Sequence, residues 1–136
     1  MIVVETLVNN NIHTVWECWT KPEHIVNWNF ASEDLHAPAA KNNLKMGGKF
    51  TYAMAAKDGS MSFEFEGIYH EIIPLKKIRY QIIDDRWVEI NFEETAEGVR
   101  IVEQFEPEKE NSHELQREGW QAILNHFKRY VESKID

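Results

Sequence analysis

Three features of the sequence point to an α+β fold, one curved antiparallel sheet covered by one dominant helix. The last regular stretch, Glu110 to Ile135, carries apolar residues at Leu115, Trp120, Ile123, Leu124, Phe127 and Val131. From Trp120 onward their gaps of three, one, three and four fit a helical stripe. Between Lys45 and Phe105, about six stretches alternate apolar and polar residues, the period of a half-buried strand. The links between them are short, so consecutive strands are expected as antiparallel neighbours. A helix of about 20 residues spans roughly 30 Å, and a sheet face is the natural cover for its apolar stripe.

The elements follow in order. Val4, Thr6 and Val8 alternate with Val3, Glu5 and Leu7. Both sets are largely apolar, which predicts a first strand inside the sheet or covered. Asn9-Asn10-Asn11 ends it and offers a helix cap. Ile12, Val15, Trp16 and Trp19 give the spacing of a short amphipathic helix. Thr20 with Glu23 reads as a capping box, with Pro22 in the first turn of a second short helix through His24, Ile25 and Trp28. Phe30 to Asn43 is irregular, with a short strand expected near Leu35 and Ala37. Gly47-Gly48 opens the next strand, in which Phe50, Tyr52 and Met54 share a face. Asp58-Gly59 is a hairpin signal. After it, Met61, Phe63, Phe65, Gly67 and Tyr69 share one parity, and Gly67 is expected at a bulge or bend. Ile78, Tyr80 and Ile82 form a further strand, then Val88, Ile90 and Phe92, then Val99, Ile101, Glu103 and Phe105. The final helix is expected to be capped by Asn111 with Glu114, with Lys128, Arg129 and Lys134 near its far end.

A chain of 136 residues fits one domain, 1–136, able to bury a core without staples. The single cysteine, Cys18, lies between Trp16 and Trp19 and reads as a small buried hydrophobe. No basic segment precedes an apolar run at the start, and no window approaches the length of a membrane span, so a cytoplasmic protein is expected. The net charge of −8 is concentrated between Asp84 and Glu118, where twelve carboxylates face four basic side chains. That surface excludes nucleic acid and anionic membranes as partners. It reads as a solubilising face or as a docking face for a basic protein.

No catalytic motif is present. The histidines at 13, 24, 36, 70, 113 and 126 form no metal-binding spacing, so no metal, cofactor or catalytic residue is assigned. The aromatic inventory is more informative. Phe50, Tyr52, Phe63, Phe65, Tyr69 and Tyr80 come from strands, and Trp120 and Phe127 from the long helix. A curved sheet closed by one helix can leave an apolar cavity among such rings. The alternative is that the rings simply fill the core.

Along nearly its whole length the chain resembles the Aha1-type branch (activator of Hsp90 ATPase homologue) of the START-like, SRPBCC or Bet v 1-like superfamily. The resemblance rests on Val15 to Ile25 with Trp28, Met46 to Phe50, Asp58-Gly59, Phe65 to Pro74, and Glu118 to Gln121 with Leu124. It departs from the family at Leu75, where a second proline is common, and at Glu118, where the family often has glycine. The resemblance implies a helix-grip fold. In it a six- or seven-stranded antiparallel sheet grips the C-terminal helix, and two short helices follow the first strand. It also implies a cavity for a hydrophobic or amphipathic small molecule. Expected lining residues are Phe50, Tyr52, Phe63, Phe65, Gly67 and Tyr69, with His70 and Tyr80 from the sheet and Trp120, Leu124 and Phe127 from the helix. Chaperone activation belongs to larger relatives with an additional domain, for which these 136 residues leave no room. The leading expectation is a ligand-binding or accessory protein, monomer or homodimer. An enzyme using His70 or Glu66 in the cavity is the second, and a protein-interaction module using residues 84–118 the third.

Overall fold

The computed structural model describes residues 1–134. Strand β1 (Ile2–Val8) leads into helices α1 (Ile12–Thr20) and α2 (Pro22–Ile25). Two short strands follow, β2 (Leu35–His36) and β3 (Ala40–Asn42). Then come β4 (Lys49–Ala56), β5 (Ser62–Ile73), β6 (Lys77–Ile82), β7 (Trp87–Thr95), β8 (Gly98–Phe105) and helix α3 (His113–Glu132). The strands form one curled antiparallel sheet in the order β1-β8-β7-β6-β5-β4-β2, and β3 also pairs with β4. The six or seven strands expected become eight because the irregular stretch supplies two short edge pieces rather than one.

The concave face follows the parity read from the sequence. Phe50 and Met54, then Ile78, Tyr80 and Ile82, then Val88, Ile90 and Phe92 are buried, as are Val99, Ile101 and Phe105. Gripped against them are Leu124, Phe127 and Val131 of α3, each no more than 1% exposed. Leu115 departs from the predicted stripe: it lies in the first turn of α3 and is 55% exposed.

β1 is an edge strand, not an interior one, and among the described residues it pairs only with β8. Its outer edge is covered by α3. Gln121 Nε2 donates to the Glu5 carbonyl at 3.1 Å, Lys128 Nζ donates to the Leu7 carbonyl, and Glu132 accepts from the Asn9 N–H at 2.9 Å. The helix thus satisfies backbone groups that would otherwise offer a pairing edge. At the β7–β8 turn, Gly98 has φ +138°, and an added Cβ would lie 2.2 Å from the Val8 carbonyl oxygen, so only glycine fits.

Three boundary details differ from expectation. α3 is capped by Ser112, whose hydroxyl accepts from the Leu115 N–H at 3.1 Å, so the cap falls one residue later than Asn111. Its described end is Glu132, and Ile135 lies outside the described residues. Thr20 caps nothing: its hydroxyl donates back to the Trp16 carbonyl at 2.8 Å, and Lys21 occupies the cap position of α2. Asn11 caps α1 as expected, accepting from the Thr14 N–H at 2.8 Å.

Gly67 does not sit at the bulge of β5. The register shift lies at Tyr69/Glu71, around His70. Gly67 pairs regularly with Phe50 and Ile82, and an added Cβ there would lie 2.5 Å from two atoms of the Phe50 ring. The glycine makes room for a facing aromatic ring rather than for a bend. The bulge shifts the inward parity instead, so that Tyr69 and then Ile72 turn to the core.

Candidate functional site

Between the concave face and the N-terminal half of α3 lies a cavity of about 280 Å3. The sheet contributes Tyr52 and Met54 from β4, Phe63, Phe65 and Tyr69 from β5, Ile78 and Tyr80 from β6, and Glu103 from β8. The helix contributes Gly119, Trp120, Ile123 and Leu124. Trp19 of α1, with Trp28, Asn29 and Ala31 after α2, closes one end.

The cavity exists because the two ends of the helix meet the sheet differently. Toward the C-terminal half, Phe127 sits 4.8 Å, ring to ring, from both Trp19 and Trp28, and Trp19 stands edge-on to Phe92 at 5.6 Å. That end is filled. Trp28 is fixed by its indole N–H, which donates to the Cys18 carbonyl at 3.0 Å. Toward the N-terminal half, Trp120 stacks on Phe105 with centroids 3.9 Å apart and planes 11° apart. It meets Phe65 edge-on at 6.0 Å. Trp120 thus props the helix over the sheet, and Gly119 beside it adds no side chain to fill the gap.

Besides Asn29, two kinds of polar group line the cavity. Tyr69 donates to Asn42 Oδ1 at 2.6 Å, Asn42 Nδ2 donates to the Thr20 carbonyl at 2.7 Å, and the Tyr52 hydroxyl lies 3.4 Å from that of Tyr69. This chain ties β4 and β5 to β3 and the end of α1. Burial raises the Tyr69 phenol to about 12 and pushes those of Tyr52 and Tyr80 well above their ordinary value, so all three remain neutral donors. The second kind is Glu103. It is 7% exposed and points from β8 among apolar neighbours. Its register partners are Val4 on β1 and Ile90 on β7. Desolvation alone raises its carboxyl to about 8, with no hydrogen bond or cation among the described residues to offset it.

Of the residues expected to line a cavity, Tyr52, Phe63, Phe65, Tyr69, Tyr80, Trp120 and Leu124 lie on its wall. Four lie elsewhere. Phe50 and Phe127 are fully packed core, and Gly67 lies behind the Phe50 ring. His70 is exposed on the convex face, 4.7 Å from the Trp87 ring, because it alternates with the inward-facing Tyr69. Glu66 does not reach the cavity either, so neither titratable group considered for chemistry is in place. Glu103 went unnoticed, although the signal was legible. It shares the inward parity of Val99, Ile101 and Phe105, and a carboxylate on an apolar face is the anomaly to ask about.

A curled antiparallel sheet gripping one long helix, with a cavity along the seam, defines the helix-grip architecture of START-like proteins. Within that class the chain belongs to the AHSA1 family: the model for Activator of Hsp90 ATPase homolog 1-like protein matches residues 9–132. It is similar to an AHSA1-like protein from Aeromonas hydrophila, at 36% identity over 97% of this chain and 92% of that one, with a TM-score of 0.92. It is also similar to a protein from Cytophaga hutchinsonii, at 52% identity over 97% and 92% of the two chains, with a TM-score of 0.83. A protein from Chromobacterium violaceum shares the fold at 20% identity, with a TM-score of 0.86 over 96% of each chain. A comparison with curated proteins found no match. Among the described residues, no helix is long and apolar enough to cross a membrane.

Proposed function

We propose that this protein binds a small hydrophobic or amphipathic molecule in the cavity between the sheet and α3, as a cytoplasmic ligand-binding or accessory protein built of one domain. The observation that carries the reading is the cavity wall. It is made mostly of aromatic and aliphatic side chains, with three phenol hydroxyls, Asn29 and one carboxyl. Such a wall gains from burying apolar ligand surface and leaves orientation to the polar groups.

The volume sets the scale of the ligand. At roughly 30 Å3 per water, 280 Å3 holds the equivalent of about nine waters, so a ligand has on the order of ten to fifteen heavy atoms. At about 0.5 kcal/mol per atom, twelve atoms give roughly −6 kcal/mol, a Kd in the tens of micromolar.

The test uses a neutral, environment-sensitive naphthalene dye of that size, such as 1-aminonaphthalene. It should bind the native protein saturably, with one site per chain. Phe65→Trp adds ring volume to the wall and should weaken that binding by about tenfold or more while leaving the circular dichroism spectrum unchanged. Dye binding that is unsaturable, or indifferent to the filled cavity, would remove the support for this reading.

A further inference from the structure

We infer that the cavity selects a small amphipathic amine, its apolar body among the aromatic rings and its ammonium group paired with the Glu103 carboxylate. This rests on the ligand-binding reading of the same cavity and adds the chemistry of the ligand's polar end.

Three observations converge. Among the described residues, Glu103 is the one acidic side chain on the cavity wall, and no Lys, Arg or His accompanies it. A carboxyl without a hydrogen-bond or ionic partner, in a cavity of this polarity, is a group waiting for a donor. The rings that share the cavity wall with it supply the rest of a cation site. Trp120 presents its ring from the helix, Tyr80 and Phe65 stand edge-to-face at 6.3 Å, and Trp28 closes the end. Aromatic faces with one carboxylate attract an ammonium ion and disfavour an anion. An anionic ligand would carry its own charge out of water with no cation on the wall to offset it. A neutral alcohol would use the hydrogen bond but gain no charge interaction.

Binding has a proton balance. Glu103 faces Val4 from β1 and Ile90 from β7, and α3 offers Gly119, Trp120, Ile123 and Leu124 to the cavity, none of them titratable. The only other titratable groups on the wall are the phenols of Tyr52, Tyr69 and Tyr80, which stay neutral. The empty protein therefore holds Glu103 protonated below about pH 8. An incoming ammonium ion keeps its three N–H bonds, the Glu103 carboxyl loses its proton to solvent, and a neutral ion pair remains. One proton is released per ligand, so affinity should rise by up to about tenfold per pH unit below that value. It levels off above, until the amine itself deprotonates.

The experiment compares 1-naphthylmethylamine, 1-naphthylmethanol and 1-naphthoic acid, near-isosteric probes of suitable size, by isothermal titration calorimetry on the wild type and Glu103→Gln. The amine should bind the wild type about tenfold or more tighter than the alcohol, with the acid weakest. Its heat should differ between phosphate and Tris buffers by the ionisation heat of about one proton, and its affinity should rise from pH 6 to 8. Glu103→Gln should erase the amine's advantage over the alcohol. If the three probes bind the wild type equally, or the amine's preference survives in Glu103→Gln, the amine assignment is overturned while the cavity reading stands. If none of them binds, both fall. Should the variant fold poorly, the pH and buffer dependence of the wild type decides: an amine affinity flat from pH 6 to 8, with no proton released, overturns the assignment.

Discussion

Glu103 shares its face of β8 with the apolar Val99, Ile101 and Phe105. Burial shifts its carboxyl from 4.5 to about 8. Between those values the folded protein holds a proton that the unfolded chain has released, so its contribution to stability falls as pH rises, by about 1.4 kcal/mol per unit. Below the unfolded value both states are protonated and the contribution is intact; above the folded value both are ionised and nothing further is lost. Glutamine has the same shape and does not titrate. Relative to the wild type, Glu103→Gln should gain about 3–4 kcal/mol between roughly pH 5 and pH 8. Urea unfolding of both proteins across that range measures the difference, and a flat difference would put the Glu103 carboxyl in water.

Among the elements, β5 shows how local preference and packing can oppose each other. Its twelve residues run from the exposed Phe63 at the cavity wall, past Gly67, to the bulge at His70. Valine is a better strand former than glycine, so propensity alone predicts that Gly67→Val stabilises the strand. The Phe50 ring decides the opposite. It is 1% exposed and packs 4.8 Å from the Tyr80 ring and 5.3 Å from that of Tyr69, so it has nowhere to retreat when a Cβ arrives 2.5 Å away. Gly67→Val should therefore lower stability by about 1–3 kcal/mol in chemical denaturation, and a neutral or stabilised variant would show that the Phe50 ring is free to move. In α3 the same tension is milder. Asn111 and Ser112 are both good caps, and the one chosen is the one from which Gln116 can turn back, donating to the Glu108 and Asn111 carbonyls at 3.2 and 2.8 Å.

At the level of the whole molecule, the seam between helix and sheet is packed at one end and propped open at the other. Phe127, Trp19 and Trp28 lock the first end. Trp120, stacked on Phe105, holds the second. Trp120 is half-buried, so its removal loses a stacked ring and enlarges a space that is already empty. Trp120→Ala should lower stability by roughly 2–4 kcal/mol, read as a reduced urea midpoint with little change in slope. A loss below about 1 kcal/mol would mean that the helix is held over the sheet without it. The acidic surface has the opposite character. Eleven of the twelve carboxylates between Asp84 and Glu118 lie outside the buried set, and Glu103 is the twelfth.

The order of elements, their type and the inward face of each long strand could be read from residue patterns. Periods of two and 3.6 are properties of the chain itself, and a buried face selects apolar side chains at that period. Tyr52, Phe65, Tyr80 and Trp120 were legible in that way as inward rings. Their separation across the seam was not. Whether facing rings meet, as Phe127 meets Trp19, or stand apart around 280 Å3, depends on sheet curvature and on which ring acts as the prop. Those are distances between segments far apart in sequence, and no local period encodes them. The bulge at His70 that turns Ile72 to the core, the Phe50 ring that requires Gly67, and the helix that covers the edge of β1 have the same origin. Glu103 lies between the two cases. Its inward direction is written in the alternation of β8, but its isolation exists only because β1, β7 and α3 close around it and none of them brings a cation.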